Sequence, residues 1–351
     1  MKYCMDASLH NKKVLLIEDG GYLAPFLNDF ALQGKTTAEV FSFYRVDTIP
    51  DAGSFADWLQ KILIGTVEHT KNGYDRLNAI SQKHSGLKFP AFSIAISDIK
   101  VKEEAREVAH SILSAVESIL HENGMILSRR NIIVFGADGN IGKCLCRYLE
   151  EGRLHKNNKD IVRVDSKYHS NEGCYALIDD IPETQFLSRD LFVGLIGDSI
   201  LKKNHIERLI LNGTKQRLVF ASGSTKTVEF ADLSDWLYEI SILEHPQIRG
   251  IPVHIMYDRI YDPQSGIDQG GKVSIQFEID NKLIEKELYL LSDLSPVNFL
   301  YYGVPTEAMD IILSQLLTVS LGLVDKNREG SLPCPGLYAV DHEIDEWGNV
   351  I

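Results

Sequence analysis

Short continuous apolar runs alternate with stretches of helical periodicity along most of this chain. Residues 12–17, Lys-Lys-Val-Leu-Leu-Ile, read as a buried strand that stops at the turn Glu18-Asp19-Gly20-Gly21. Leu23, Phe26, Leu27, Phe30 and Leu32 then predict a helix over about 22–33. Residues 39–44 read as a second strand and 91–96, after Pro90, as a third. Over 102–123, Ala109, Ile112, Leu113, Val116 and Ile119 recur at helical spacing, with Gly124 placed to cap the end.

A strand–turn–helix–strand unit follows. Residues 131–135 are a continuous apolar strand, Gly136 to Gly142 a glycine-rich turn, 143–150 a helix, and 161–164 a strand that ends at Asp165. Strands at 191–195 and 217–221 flank a helix over 203–212. This alternation predicts the fold class: α/β, with a Rossmann-type doubly wound parallel sheet. Residues 272–279 and 283–289, around Asp280-Asn281-Lys282, predict an antiparallel hairpin at the sheet's far edge. A last helix is expected over 306–322, and the tail from Asn327 reads as irregular.

The glycine turn lies where a dinucleotide needs it, and each glycine has its own purpose. Gly136 permits a tight turn, Gly139 lets the backbone approach a pyrophosphate, and Gly142 lets the helix pack on the strand. Asn140 and Ile141 lie in the turn that leads into the helix, whose N-terminus offers unpaired N–H groups to phosphates. Asp165 lies 23 residues after Gly142 at a strand end. A carboxylate there accepts hydrogen bonds from ribose hydroxyls and disfavours the 2′-phosphate of NADP, so NAD is the expected cofactor. Gly197, just past the 191–195 strand, is a further candidate contact. The plainer reading of these glycines is chain turning alone.

Composition narrows the classes. The chain has 351 residues, 36 of them Lys or Arg and 49 Asp or Glu, for a net charge of −13. That balance argues against nucleic-acid binding, which needs a basic footprint. No stretch approaches the ~18 uninterrupted apolar residues of a membrane span, and the N-terminus lacks the apolar run of a signal peptide. Five cysteines without metal-ligand spacing read as reduced thiols in a cytoplasmic protein. No HxxxH or HExxH pair supports a metal site.

Several passages, in the same order, resemble S-adenosylhomocysteine hydrolase. That family binds NAD tightly, oxidises the substrate's 3′-hydroxyl, eliminates homocysteine, adds water and reduces the ketone back. Glu18-Asp19-Gly20-Gly21 resembles its acid-acid-Gly-Gly turn, which implies that Asp19 contacts substrate. Residues 65–73 resemble its Glu-Glu-Thr-Thr-Thr-Gly passage, with His69 in place of the substrate-side glutamate and Thr70, Lys71 and Asn72 on the NAD-contacting threonines. Lys100 falls on the catalytic lysine and Glu104 on a nearby aspartate. Asp165 falls on the ribose-binding acid, although this turn is one residue longer than the family's GxGxxG. Val297-Asn298 resembles the pair whose asparagine holds the nicotinamide amide. Ser224 and Val304 stand where the family has histidines, and Asp341-His342 faintly resembles its C-terminal tail.

The resemblance implies an enzyme that uses bound NAD to oxidise a secondary alcohol of a nucleoside-like or sugar-like substrate. Lys100 would be the base, Asp19 would hold the hydroxyl and His69 would carry a proton. On the residues alone, Lys100 also fits a solvated helix entry, Asp19 a simple turn, His69 a surface loop, and Glu104 a first-turn acid favoured by the helix dipole. Two lost histidine positions keep a second reading open, a catalytically degenerate NAD-binding regulatory or assembly protein. The resemblance further implies a homodimer or higher, and leaves room for a partner chain that supplies the missing substrate region. The expected domains are a truncated α/β substrate-type domain over 1–125 completed by a helix at 306–325, a Rossmann domain over 126–300, and a tail over 326–351.

Overall fold

The computed structural model describes residues 1–46, 53–151, 161–169, 173–224, 228–301 and 303–340. Asp341-His342 of the tail lie outside the described residues. The chain divides into two units, Met1–Glu104 with Thr306–Ile351, and Ala105–Pro305. The fold is α/β, with parallel sheets in both units.

In the first unit the strands are β1 (Val14–Glu18), β2 (Leu63–Glu68), β3 (Pro90–Ser93) and a last strand, Gly336–Ala339. They form a parallel sheet in that order. The irregular tail expected beyond Asn327 is therefore partly strand. Helix α1 (Lys2–Leu9) precedes the sheet, and α2 (Ala24–Leu32), α3 (Thr37–Phe43), α4 (Phe55–Ile62) and α5 (Lys71–His84) fall between its strands. Where the apolar run at 39–44 suggests a strand, the structure has α3. The reason is a capping box: Thr36 Oγ1 accepts from the Glu39 N–H, and Glu39 Oε2 accepts from the Thr36 N–H. That start places Val40 and Phe41 in the core with Trp58 and Leu59 of α4.

The long helix expected from 102 begins differently. Ile99–Glu104 is a single π-helical turn, and the α-helix α6 (Ala105–Glu122) starts after it, in the second unit. The second unit also holds β4 (Ile132–Phe135), α7 (Asn140–Glu151), β5 (Ile161–Val164), β6 (Cys174–Tyr175), α8 (Glu183–Phe186), β7 (Leu191–Gly194), α9 (Lys203–Asn212), β8 (Arg217–Ser222) and α10 (Ala231–Ser241). It ends with β9 (Gln247–Ile248), β10 (Ile251–Tyr261), β11 (Asp268–Ile279) and β12 (Lys282–Leu291). The sheet order is β6-β5-β4-β7-β8-β12-β11-β10-β9. Its first six strands are mutually parallel and wind outward in both directions from β4 and β7. Two apolar clusters fill its faces, one around Phe192, Phe220 and Phe230, the other around Ile112, Ile119 and Leu145.

The predicted hairpin exists as β11 and β12, but it is not the edge: β12 pairs with β8, and β10 and β9 continue beyond β11. Strand β10 escapes the pattern because Val253 and Ile260 are its only buried positions.

The chain returns to the first unit through α11 (Thr306–Glu329), which runs past the expected stop at 322. Lys326 and Arg328 in its last turn suit the negative end of the helix dipole. By length and composition α11 could cross a membrane. One face, Ile312, Leu316, Val319 and Leu323, is buried with Val67, Phe92 and Ile94 of the first unit.

Candidate functional site

In the second unit, β4 and β7 are neighbours from which the chain departs in opposite directions. Open α/β sheets bind ligands at such a point, outside the carboxyl ends of the strands. Gly136 leaves β4 with φ +79°, and a Cβ there would lie 2.8 Å from Leu195 O. A Cβ on Gly142 would lie 2.1 Å from Gly136 O, so only glycine lets α7 sit this close to the turn. Gly139 is less confined, its nearest atom at 3.2 Å, and its carbonyl accepts the first helical bond from Lys143. Asn140 and Ile141 follow as the first residues of α7.

Asp165 stands at the end of β5. Oδ2 accepts the Asp138 N–H and Oδ1 the Lys167 N–H, both at 3.0 Å. Each oxygen retains a lone pair for another donor. The turn also carries Asp138, whose carboxylate is countered by Lys143 at 3.2 Å and Lys167 at 3.7 Å. Cys146, on the buried face of α7, has its thiol pushed up to about 11 by burial.

Beyond β7, Gly197 (φ +78°) donates its N–H to Glu229 Oε1. Glu229 is fully buried and also accepts from the hydroxyls of Ser222 and Ser224 at 2.5 and 2.7 Å. This acid ties together the loops after β7 and β8, and no motif in its sequence surroundings marks it. Asn298 is 3 % exposed, and its side-chain Oδ1 has no hydrogen-bond partner among the described residues.

The first unit holds a second polar group at the carboxyl ends of β1, β2 and β3. Gly20 and Gly21 turn the chain with positive φ and donate both N–H groups to the carboxylate of Glu68, at 3.1 and 2.9 Å. Glu68 is fully buried and accepts further bonds from the N–H and hydroxyl of Thr70. A Cβ on Gly73 would fall 2.0 Å from the Glu68 carboxyl carbon, so that glycine makes the space. The sequence signal for Glu68 is an acid closing an apolar run. Glu18 instead accepts the Leu23 and Ala24 N–H groups at the start of α2. Burial is the main influence pushing its carboxyl up; those N–H groups lower it and the Glu68 charge raises it further.

Around this turn, Asp19, His69, Lys100 and Glu104 form a line. Lys100 Nζ lies 2.5 Å from Glu104 Oε2 and 3.0 Å from His69 Nε2, and His69 Nδ1 lies 3.2 Å from Asp19 Oδ1. The Lys100 side chain is 9 % exposed and that of Asp19 78 %, so the line runs from a buried cation to solvent. The donors fix the imidazole tautomer: a lysine N–H facing Nε2 makes Nε2 the acceptor, leaving Nδ1–H to donate to Asp19. Lys100 and Glu104 are held by the π-turn Ile99–Glu104, a geometry frequent at functional sites.

The structure thus brings Asp19, His69, Lys100 and Glu104 together in one unit, and the glycine turn and Asp165 together in the other. Thr70, Lys71 and Asn72 lie in the first unit. The Thr70 hydroxyl caps α5, Lys71 pairs with Asp75, and Asn72 is exposed.

No family model matches this chain, and no curated protein matches it. Solved structures do. One is assigned to the D-isomer-specific 2-hydroxyacid dehydrogenases, from a Polaromonas species (14 % identity, 80 % of this chain, 81 % of that chain, TM-score 0.41). Another is a D-lactate dehydrogenase from Aquifex aeolicus with NAD and lactic acid (11 %, 64 %, 73 %, TM-score 0.36). A third is a glyoxylate/hydroxypyruvate reductase from Sinorhizobium meliloti with NADP and malonate (14 %, 52 % and 64 %, TM-score 0.34). At these identities the likeness is one of fold.

The resemblance to S-adenosylhomocysteine hydrolase is corrected by these matches: the solved structures named here are dehydrogenases and a reductase, not members of that family, and hydrolysis is left without support. The physical reason is that acid-Gly-Gly and glycine-turn passages are what any strand-to-helix turn at a parallel sheet's carboxyl edge requires.

Proposed function

We propose that this chain is an NAD-dependent oxidoreductase acting on an alcohol group of a small molecule. One observation carries the reading: the glycine turn, with Gly142 pressed on Gly136, opens at the sheet's reversal point beside the Asp165 carboxylate. The residues present fit NAD. Gly139 leaves room for a pyrophosphate, Asp165 keeps acceptor capacity for ribose hydroxyls, and the orphaned Asn298 Oδ1 suits the amide of a nicotinamide. When bound, NAD supplies a hydride acceptor.

The first unit supplies the proton chemistry. Held as an ammonium, Lys100 directs one N–H to Glu104 and one to His69 and keeps a third for a substrate oxygen. Passing one proton from Lys100 to His69 Nε2, and the Nδ1 proton on toward Asp19 and solvent, leaves Lys100 a neutral amine whose lone pair takes the proton of the alcohol.

Calorimetry of the purified chain should show NAD bound in preference to NADP. Asp165→Ala should weaken NAD by about 10- to 100-fold, or ~1.4–2.7 kcal/mol, and narrow the preference. Binding of neither nucleotide would sink the reading. Lys100→Met should cut NAD reduction, followed by absorbance across a panel of small alcohols, by about 100-fold or more while leaving NAD affinity unchanged. Equal turnover in this variant would remove Lys100 from the chemistry.

A further inference from the structure

Among the described residues, β10 beyond Pro252 has a strand neighbour on one side only. It pairs with β11 from Val253 to Tyr261, whereas β9 covers only Ile251 and Pro252. Backbone groups alternate sides along an antiparallel strand. The Val253 N–H reaches Pro246 O, on the side away from β11. By that period Ile255, Tyr257 and Arg259 also aim their backbone groups outward, while His254, Met256 and Asp258 aim theirs at β11. The same parity, carried through β11 and β12, turns Glu287 toward β8, and its N–H is indeed on Gln216 O.

Natural edges are usually blunted by proline, bulges, charge or cover. Here Pro252 and a register shift between Ile260 and Tyr261 sit at the ends, and of the charged residues between them Arg259 is engaged by Asp268 and Asp293. Between those ends, Met256 and Tyr257 are exposed. On the α10 side the edge borders an open groove of about 410 Å³ lined by Ile240, Leu243, Pro246, Ile255 and Tyr257.

We propose that this edge pairs antiparallel with the same edge of a second copy, about a two-fold axis through Met256. The register follows from complementarity. With the axis at Met256, His254 faces Asp258 of the second copy, Met256 faces its own copy, and Ile255 faces Tyr257. Across these central pairs charge meets a complementary group and apolar meets apolar, the pairings that stabilise sheets; the ladder ends before Val253, whose outward N–H is already on Pro246 O. An axis at Tyr257 sets Met256 against Asp258. An axis at Asp258 sets two carboxylates face to face. An axis at Ile255 sets His254 against Met256 and takes Asp258 out of the ladder, against Pro252. Of these, the Met256 axis alone pairs His254 with Asp258.

The experiment is sedimentation of the full chain with single-site cross-linking. The chain should sediment as a dimer. Met256→Asp, at an exposed position, should weaken it on the order of 100-fold by setting like charges together. Under oxidised glutathione, Met256→Cys should cross-link to its own copy, because a non-hydrogen-bonded pair brings like residues within disulfide reach. Asp258→Cys should not exceed the parent chain, whose exposed Cys334 sets the background. A monomer at every concentration overturns the proposal. So does a dimer in which Met256→Cys fails to cross-link above background, which would assign the edge to another occupant.

Discussion

Gly142→Ala should abolish NAD binding and destabilise the second unit together. The added methyl would lie 2.1 Å from Gly136 O and 2.8 Å from the Ala137 Cα, both backbone, so no side chain can give way. Helix α7 must move outward, and overpacking of this kind costs about 1–3 kcal/mol. The displaced helix takes its first N–H groups with it. Losing two charge-assisted phosphate contacts is worth about 3 kcal/mol, so affinity should fall by at least ~100-fold. Gly139→Ala separates the two effects. Its methyl meets only Gly136 O, at 3.2 Å, so the fold should survive while the space for a pyrophosphate closes. Calorimetry and thermal unfolding on both variants make the check. Unchanged NAD affinity in Gly139→Ala would show that this turn does not face a pyrophosphate.

Glu68→Ala should cost the first unit about 3–5 kcal/mol, because it strips one buried carboxylate from four donors. The Gly20 and Gly21 N–H groups would be left buried without partners, and the turn that carries Asp19 would loosen. Glu68→Gln should cost less, about 1–2 kcal/mol, since its amide keeps one oxygen toward three of the donors and sets an NH2 against the fourth. Hydrogen exchange at Gly20 and Gly21 locates the effect, and denaturant unfolding measures it. A loss under about 1 kcal/mol for Glu68→Ala would mean that other groups hold the turn.

The polar line Asp19–His69–Lys100–Glu104 shows how unevenly a site can be read in advance. All four residues are singled out in the sequence through the resemblance to a family that the matches do not support; on their own they read as a turn acid, a loop histidine and two helix-entry charges. Their order, with His69 between the lysine and the exposed acid, is not legible there, because 31 positions separate His69 from Lys100. Glu68, immediately before His69, is the residue that organises the turn, yet it reads as an ordinary strand-end acid. Glu229 gives no sign at all. Its burial depends on β7 and β8 lying side by side, which local spacing does not encode.

Local chemistry was also decisive where apolar pattern misled. The run at 39–44 has strand-like residues, but Thr36 and Glu39 satisfy each other's backbone N–H groups and start a helix. The tail beyond α11 looks irregular because Pro333 and Pro335 interrupt it, yet Gly336–Ala339, now β13, completes the first sheet beside β3. A four-residue edge strand carries too little periodicity to be seen before its neighbour is known.

By itself, the sequence determined the α/β class, the parallel winding of the second unit and the position of the glycine turn. Each follows from short-range facts: continuous apolar runs, glycines where a Cβ cannot fit, and an acid at a strand end. Only the tertiary structure decided the division at Glu104 and Ala105, the π-turn that presents Lys100, the burial of Glu68 and Glu229, and the open edge of β10. These depend on contacts between segments far apart in the chain, and a backbone hydrogen bond or a buried carboxylate carries no mark of its partner until the sheet has formed.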